Sequence, residues 1–432
     1  MSAGWQVRGN SLMRVIVGLA LIIIITYASY QAGRFSGTTV ITAPDDAWAL
    51  DDAASEAFQN LLTSLDFAGS EAYSRSQASE ATLPHDEIYQ YLLELLAASI
   101  EMQLSKGDPA EPKFTDWMGD YRKFLGDSPD ARYLTAPIDS EYDYELTFDM
   151  GDADYLGVVI YDINPLTGWN RAADSLYFLA GNVGRVKSIQ LAPSNNRARA
   201  NSASGSLELQ LSATAHTVMV RTYRFDGSVE DSSRISIAVS SSTGRASDSA
   251  NQTGLNLPAH DALSVETRLS NTSRFFNKTW QGSRALARAT AATANSFERP
   301  TEVSADFAGI FYPTPDNSYH GGAFDLAPDE HLVIDGKTPD AAFWSVTLQN
   351  HWMQSLEPNT GQASLRGDEI AVRDGRYRIW IGALPPPDGE NWLSTGGLQQ
   401  GLVAIRYLLA TSEETPTARV VNTKNSMDEV IR

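Results

Sequence analysis

The order of apolar and polar residues divides the chain into helical and strand-like stretches. Residues 15–28 are apolar and uncharged, and the run extends from Leu12 to Tyr30 if Arg14 is accepted near one end. Each central Leu or Ile favours bilayer insertion by roughly 0.3–0.6 kcal/mol, and Arg14 can snorkel to the interface. This predicts a transmembrane helix. Further on, Leu50, Ala54, Ala57, Phe58, Leu61, Leu62 and Leu65 recur at helical spacing. So do Ile88, Tyr91, Leu92, Leu95, Leu96 and Ile100, with Pro84, Asp86 and Glu87 suited to a first turn. From about 142 to 240 the period shortens to two, predicting strands over 144–148, 156–161, 207–211 and 217–223 with one buried face. Val265, Leu269, Phe276, Trp280 and Leu286 then return to a helical stripe, the best candidate for a connector. Strands resume over 375–421, interrupted by three prolines at 385–387 that cannot sit inside a sheet.

The strand patterns are related. Pro129-Asp130-x-x-Tyr133, Asp139, Asp149 and Val158 recur about 186 to 188 residues later as Pro315-Asp316-x-x-Tyr319, Asp325, Asp335 and Val346. Residues 205–209 align with 375–379, Arg221 with Arg406, and Arg234 with Arg419. A repeat this long is one folding unit used twice.

Several runs carry a family likeness: 107–114, 122–139, 319–325, 343–350 and 391–393. They resemble proteins with the domain of unknown function 1214, often found with its relative 1254. The likeness covers nearly everything after the apolar run and is most specific in the last 120 residues. Ser128 and Gln349 depart from it, where relatives often carry Asn and Tyr. The resemblance implies paired jelly-roll-like β-sandwiches with accessory helices, and no particular reaction. The expected fold is thus mainly β with accessory helices. Its order is a cytoplasmic tip and anchor (1–34), a linker and helical segment (35–125), a first β-sandwich repeat (126–255), a helical connector (256–300) and a second repeat (301–432).

Arg8 and Arg14 precede the apolar run, whereas Asp45, Asp46, Asp51 and Asp52 follow it. The positive-inside rule then predicts a single-pass bacterial inner-membrane protein with its C-terminal bulk in the periplasm. Cleavage after Ala28 or Ala32 as a signal peptide is the rival reading. A net charge of −20 argues against nucleic-acid partners. The absence of cysteine excludes disulfides, zinc thiolates and Cys nucleophiles.

No cofactor motif is present. The six histidines lack metal-ligand spacing, so no metal site is expected from sequence spacing, leaving only His320 with Asp316 and Asp325 as a through-space option. His320-Gly321-Gly322 lacks the Gly-x-Ser-x-Gly elbow of a hydrolase, so its glycines are read as a tight strand entry. The ending of 333–338, Gly-Lys-Thr, lacks the first glycine of a phosphate loop. The two Pro-Asp-x-x-Tyr elements read either as turns or as binding loops. Arg221 and Arg406 lie in apolar strands, and an unpaired buried charge is costly. The expectation is that Asp149 meets Arg221 and Asp335 meets Arg406; an anion-binding arginine is the alternative. Trp344 and Trp380 read as core, while Trp392 beside Asn391 reads as lining a groove.

The leading reading is an envelope protein that binds a carbohydrate, lipid or other envelope ligand, with Tyr133, Tyr319, His320, Asn350, Asn391 and Trp392 as candidate contacts. An alternative is a glycan-acting hydrolase using carboxylates among Asp130, Asp139, Asp316 and Asp325. A third is a structural or assembly role through exposed sheet edges, with oligomers possible.

Overall fold

The computed structural model describes residues 52–78, 85–119, 122–164, 169–181, 188–193, 207–227, 232–242, 263–298, 312–357, 361–386 and 389–422. Among them no helix is long and apolar enough to cross a membrane, and the span expected over 12–30 lies outside them. The protein is mainly β, with a few accessory helices.

The first half contains β1 (Thr115–Met118), β2 (Ala131–Pro137), β3 (Tyr142–Asp149), β4 (Tyr155–Ile163), β5 (Asn170–Leu179), β6 (Ser188–Pro193), β7 (Leu207–Leu211), β8 (Ala215–Tyr223) and β9 (Arg234–Ser242). They form an inner sheet ordered β1-β2-β8-β4-β5 and an outer sheet ordered β7-β6-β3-β9. The second half contains β10 (Phe297–Glu298), β11 (Asn317–Asp325), β12 (Glu330–Lys337), β13 (Phe343–Gln349), β14 (Ser364–Arg366), β15 (Val372–Arg373), β16 (Arg376–Gly382), β17 (Asn391–Ser394), β18 (Gln400–Leu408) and β19 (Thr417–Asn422). Its inner sheet runs β10-β11-β18-β13-β14 and its outer sheet β15-β16-β12-β19. The outer sheets even share a parallel pair, β6 with β7 and β16 with β17. One detail of the sequence alignment is corrected by these pairings. Arg376–Gly382 occupies the place of Ser188–Pro193, beside β12 as the latter is beside β3, and Leu207–Leu211 matches Asn391–Ser394.

Strand periodicity explains the cores. Leu146, Val158, Ile189 and Val220 point between the two sheets of the first half, and Ile334, Val346, Ile379 and Ile405 do so in the second. The outer strand β3 alternates buried and exposed residues, as a sheet with one wet face must. The inner strands β4 and β13 are buried almost throughout, because their second faces are covered too. What covers them is the other half of the molecule together with the helices. Tyr155 and Tyr223 pack on Phe343 and Leu408, and Val159, Tyr161 and Met219 join the helical cluster.

Among the described residues the helices are α1 (Asp52–Ala78), α2 (His85–Ser99), which continues as a π-helical turn over Ile100–Ser105, and α3 (Val265–Ala291). Helix α3 starts where Ser264 Oγ accepts the Thr267 amide at 3.1 Å, with Glu266 in the first turn and Arg288 in the last. Tyr91 of α2, Trp352 from the loop after β13 and Trp280 of α3 form a three-ring cluster in which Trp352 stacks on both others, with centroids 5.5 and 5.3 Å apart, and Tyr91 and Trp280 also meet at 6.2 Å. This cluster fastens the helices to the second half.

Candidate functional site

The inner sheets carry a matching pair of residues at matching register. Arg221 lies opposite Tyr133 on β2 and Gly157 on β4. Arg406 lies opposite Tyr319 on β11 and Ser345 on β13. Both arginines point away from their own sandwich core, since their neighbours Val220 and Ile405 point into it. Each guanidinium is therefore directed at the opposite half, and both are almost fully buried, at 2% and 4% exposure.

Each reaches across. Arg221 Nη2 donates to Asp316 Oδ1, and the Tyr155 hydroxyl donates to the other carboxylate oxygen of Asp316. Arg406 Nη2 donates to the carbonyls of Gly126 and Asp127, the latter at 2.8 Å. The loop it grips is anchored independently. The Gly126 amide donates to the Met353 carbonyl at 2.9 Å, and Asp127 accepts from the Ser355 amide and hydroxyl at 2.9 and 2.6 Å. Gly126 sits at φ +75°, where a Cβ would stand 3.2 Å from Met353 Cε. In the repeat, residues 126–130 align with 312–316. Tyr312, the counterpart of Gly126, accepts the Tyr161 hydroxyl at 2.9 Å. The same loop of each half is thus held by the inner sheet of the other.

These contacts correct the expected pairs. Asp149 stays exposed at the end of β3, opposite Arg234 and accepting the Gly151 amide. Asp335 accepts Arg378 Nε at 2.7 Å and also pairs with Arg419. Both aspartates lie on outer sheets, so a whole sandwich core separates them from arginines that face the other way.

Where the inner sheets do not touch, a cavity of about 250 Å³ remains. Trp117, Met118, Met219, Leu286 and Met353 give it an apolar wall, and helix α3 contributes Thr290. Arg221, Arg406, Tyr133 and Tyr319 line it together. Arg221 Nε and Arg406 Nη1 are buried without a hydrogen-bond partner. Burial holds the Tyr133 hydroxyl well above its usual range, so it stays neutral. Burial also pushes the Asp316 carboxyl up, to about 6.

The other sequence candidates lie elsewhere. His320 borders the cavity, but its ring bonds Tyr407 at 3.1 Å and Thr415 at 3.2 Å. It is no metal ligand with Asp316 and Asp325, and no cluster of three His, Asp or Glu exists among the described residues. Nor is the His-Gly-Gly run a strand entry: it lies inside β11, where Gly322 admits Phe297 of β10, a Cβ there standing 3.0 Å from the ring. Asn350 closes a turn by accepting the Trp352 and Gln354 amides. Asn391 holds Ala371 through both backbone groups and also donates to the Arg378 carbonyl. Trp392 is half-buried, donating to the Gly382 carbonyl. Trp344 and Trp380 are core residues.

The carboxylates proposed for hydrolysis do not converge. Asp130 lines a polar groove beside Ser128 and Arg132. Asp139 lines a different cleft, of about 370 Å³, near His216 and Lys278. Asp316 is taken by Arg221 and Tyr155, and Asp325 is an exposed end of β11. The apolar wall was not legible in the sequence, because Trp117-Met118, Met219, Leu286 and Met353 come from separate segments with no common motif.

Residues 311–411 match the family model described as "Protein of unknown function (DUF1214)", in agreement with the resemblance noted in the sequence. No curated protein matches the chain. Among solved structures, an uncharacterized protein from Burkholderia cenocepacia is similar at 22% identity, with 85% of this chain and 97% of that one covered and a TM-score of 0.70. A protein from Vibrio parahaemolyticus is 13% identical, with 77% and 98% covered and a TM-score of 0.44. The first likeness is one of fold.

Proposed function

We propose that this protein is a binding protein, anchored in the bacterial inner membrane with its body in the periplasm, that holds an apolar small molecule at the junction of its halves. The halves are read as two jelly-roll-like sandwiches derived from one duplicated unit. The observation that carries the binding reading is the junction cavity itself. Its wall is built from indole, thioether and leucine side chains of both halves, with a few fixed polar groups among them. An engineered apolar cavity of about 150 Å³ in another protein stays dry and takes up benzene, so about 250 Å³ suffices for one ring or a short alkyl chain. A glycan is disfavoured there, because its hydroxyls would lose water without enough partners.

The test is calorimetry of the full-length chain with two neutral probes, toluene and octanol. Thr290→Trp fills the cavity from helix α3 and is expected to abolish uptake of both. Uptake that is absent from the unsubstituted chain, or unchanged by Thr290→Trp, would remove the junction cavity as the binding site.

A further inference from the structure

We infer that the ligand of the junction cavity is an organic anion, a carboxylate carried on an apolar body, with its acid group held by Arg406 and Arg221. The inference rests on the binding reading above and adds the chemistry of the ligand's head. An apolar cavity alone asks only for an apolar guest. This one has two guanidiniums on its wall, each more than nine-tenths buried, and each retains a buried N–H without a partner. A guanidinium stays charged at any accessible pH, so burial cannot be relieved by losing a proton. Its remaining donors call for an acceptor, and a carboxylate satisfies them with charge as well as geometry.

The two arginines differ in how far the protein neutralises them. Arg221 contacts Asp316, which Tyr155 holds from its other side. By repeat position Asp130 is the counterpart of Asp316, and Phe343 is the counterpart of Tyr155. Phe343 has no hydroxyl to hold a carboxylate, and the Asp130 carboxylate instead meets Ser128 Oγ at 3.5 Å. Arg406 forms no ion pair among the described residues; two loop carbonyls take its Nη2, and Nη1 is left. The carboxyls of Asp127 and Asp130 lie near enough to feel its charge, and burial raises both from their usual range. The junction therefore presents one compensated and one incompletely compensated cation to the same apolar space. A ligand amine would meet both of them unfavourably.

The experiment compares octanoate, octanol and octylamine on the full-length chain at pH 7 by calorimetry. Octanoate is expected to bind about 10- to 100-fold tighter than octanol, the range of one or two charge-assisted hydrogen bonds. Arg406→Gln is expected to remove most of the preference for octanoate over octanol, read as the ratio of the two affinities in that variant. Equal binding of octanoate and octanol, or a preference for octylamine, overturns the anion inference and leaves the cavity reading standing. Binding of none of the three overturns both. Should Arg406→Gln fail to fold, the order of the three probes on the unsubstituted chain still decides.

Discussion

Replacing Arg221 with Met tests whether the two halves are joined by a buried ion pair. The side chains of Arg221 and Asp316 are 2% and 9% exposed. Methionine restores much of the apolar volume but leaves the Asp316 carboxylate with the Tyr155 hydroxyl and no cation. An uncompensated buried charge of this kind costs about 3–5 kcal/mol, whereas replacing both partners with neutral groups is often close to neutral. Arg221→Met alone is therefore expected to lose about 3–5 kcal/mol in urea unfolding at pH 7. Adding Asp316→Asn should recover most of that loss, giving a coupling energy of at least about 2–3 kcal/mol in the double-mutant cycle. The deficit should also depend on pH. Burial alone already raises the Asp316 carboxyl to about 6, above its unfolded value of 3.8. With Arg221 gone, the folded state binds a proton that the unfolded chain has released, so stability rises as pH falls through the folded value toward 3.8. The single mutant should recover between pH 7 and pH 5 and the double mutant should not. A single mutant within 1 kcal/mol of wild type at pH 7, or a cycle with no coupling, refutes the clamp.

Trp352→Ala removes the ring that stacks on both Tyr91 and Trp280 and is expected to cost about 3–5 kcal/mol in the same assay. His216 is held down to about 4 by burial, so its contribution is intact above 6.5 and is lost as pH falls toward 4. At about 1.36 kcal/mol per pH unit this is at most about 3 kcal/mol, and His216→Gln should flatten that part of a stability profile taken from pH 7 to pH 4. Gly126→Ala and Gly375→Ala both place a side chain at positive φ, but only the first brings Cβ against Met353. Both should lose about 1 kcal/mol, with a further loss for Gly126→Ala that Met353→Ala relieves, read as shifts in melting temperature.

Much of the architecture was legible in the chain. The helical stripes at 88–100 and 265–286 became α2 with its π-helical turn and α3, because one apolar face per helix is a local property. The repeat foretold the matching sheets, since Val158 and Val346 fill equivalent core positions. The alignment slipped between β6 and β7 because short strands of alternating character look alike without their partners. Tyr133, Tyr319, Arg221 and Arg406 were each visible, but their juxtaposition was not. Arg221 does have a buried counter-ion, but Asp316 comes from the other half, across the face opposite the arginine's own core, and not from Asp149. The unbroken run without a polar residue over 155–161 was the available signal that this face is covered, as the burial along 155–162 and 343–349 shows it to be.

That covered face also explains why two halves of matching sheet order carry a cavity at their junction. When two sheets of matching order meet face to face, equivalent side chains confront each other rather than complementing each other. Two long cations and two phenols from the same register cannot interdigitate as a hydrophobic core does, and like charges keep their heads apart. The contact is closed at the flank, by Tyr155 and Tyr223 on Phe343 and Leu408, and the crossed loops secure it. The centre is left open and lined by the residues that could not pack. Neither half holds the site alone, because Arg406 requires the Gly126–Asp127 loop and Arg221 requires Asp316. Helix α3 supplies Leu286 and Thr290 to the wall, so the helix between the two halves is part of the enclosure rather than a tether.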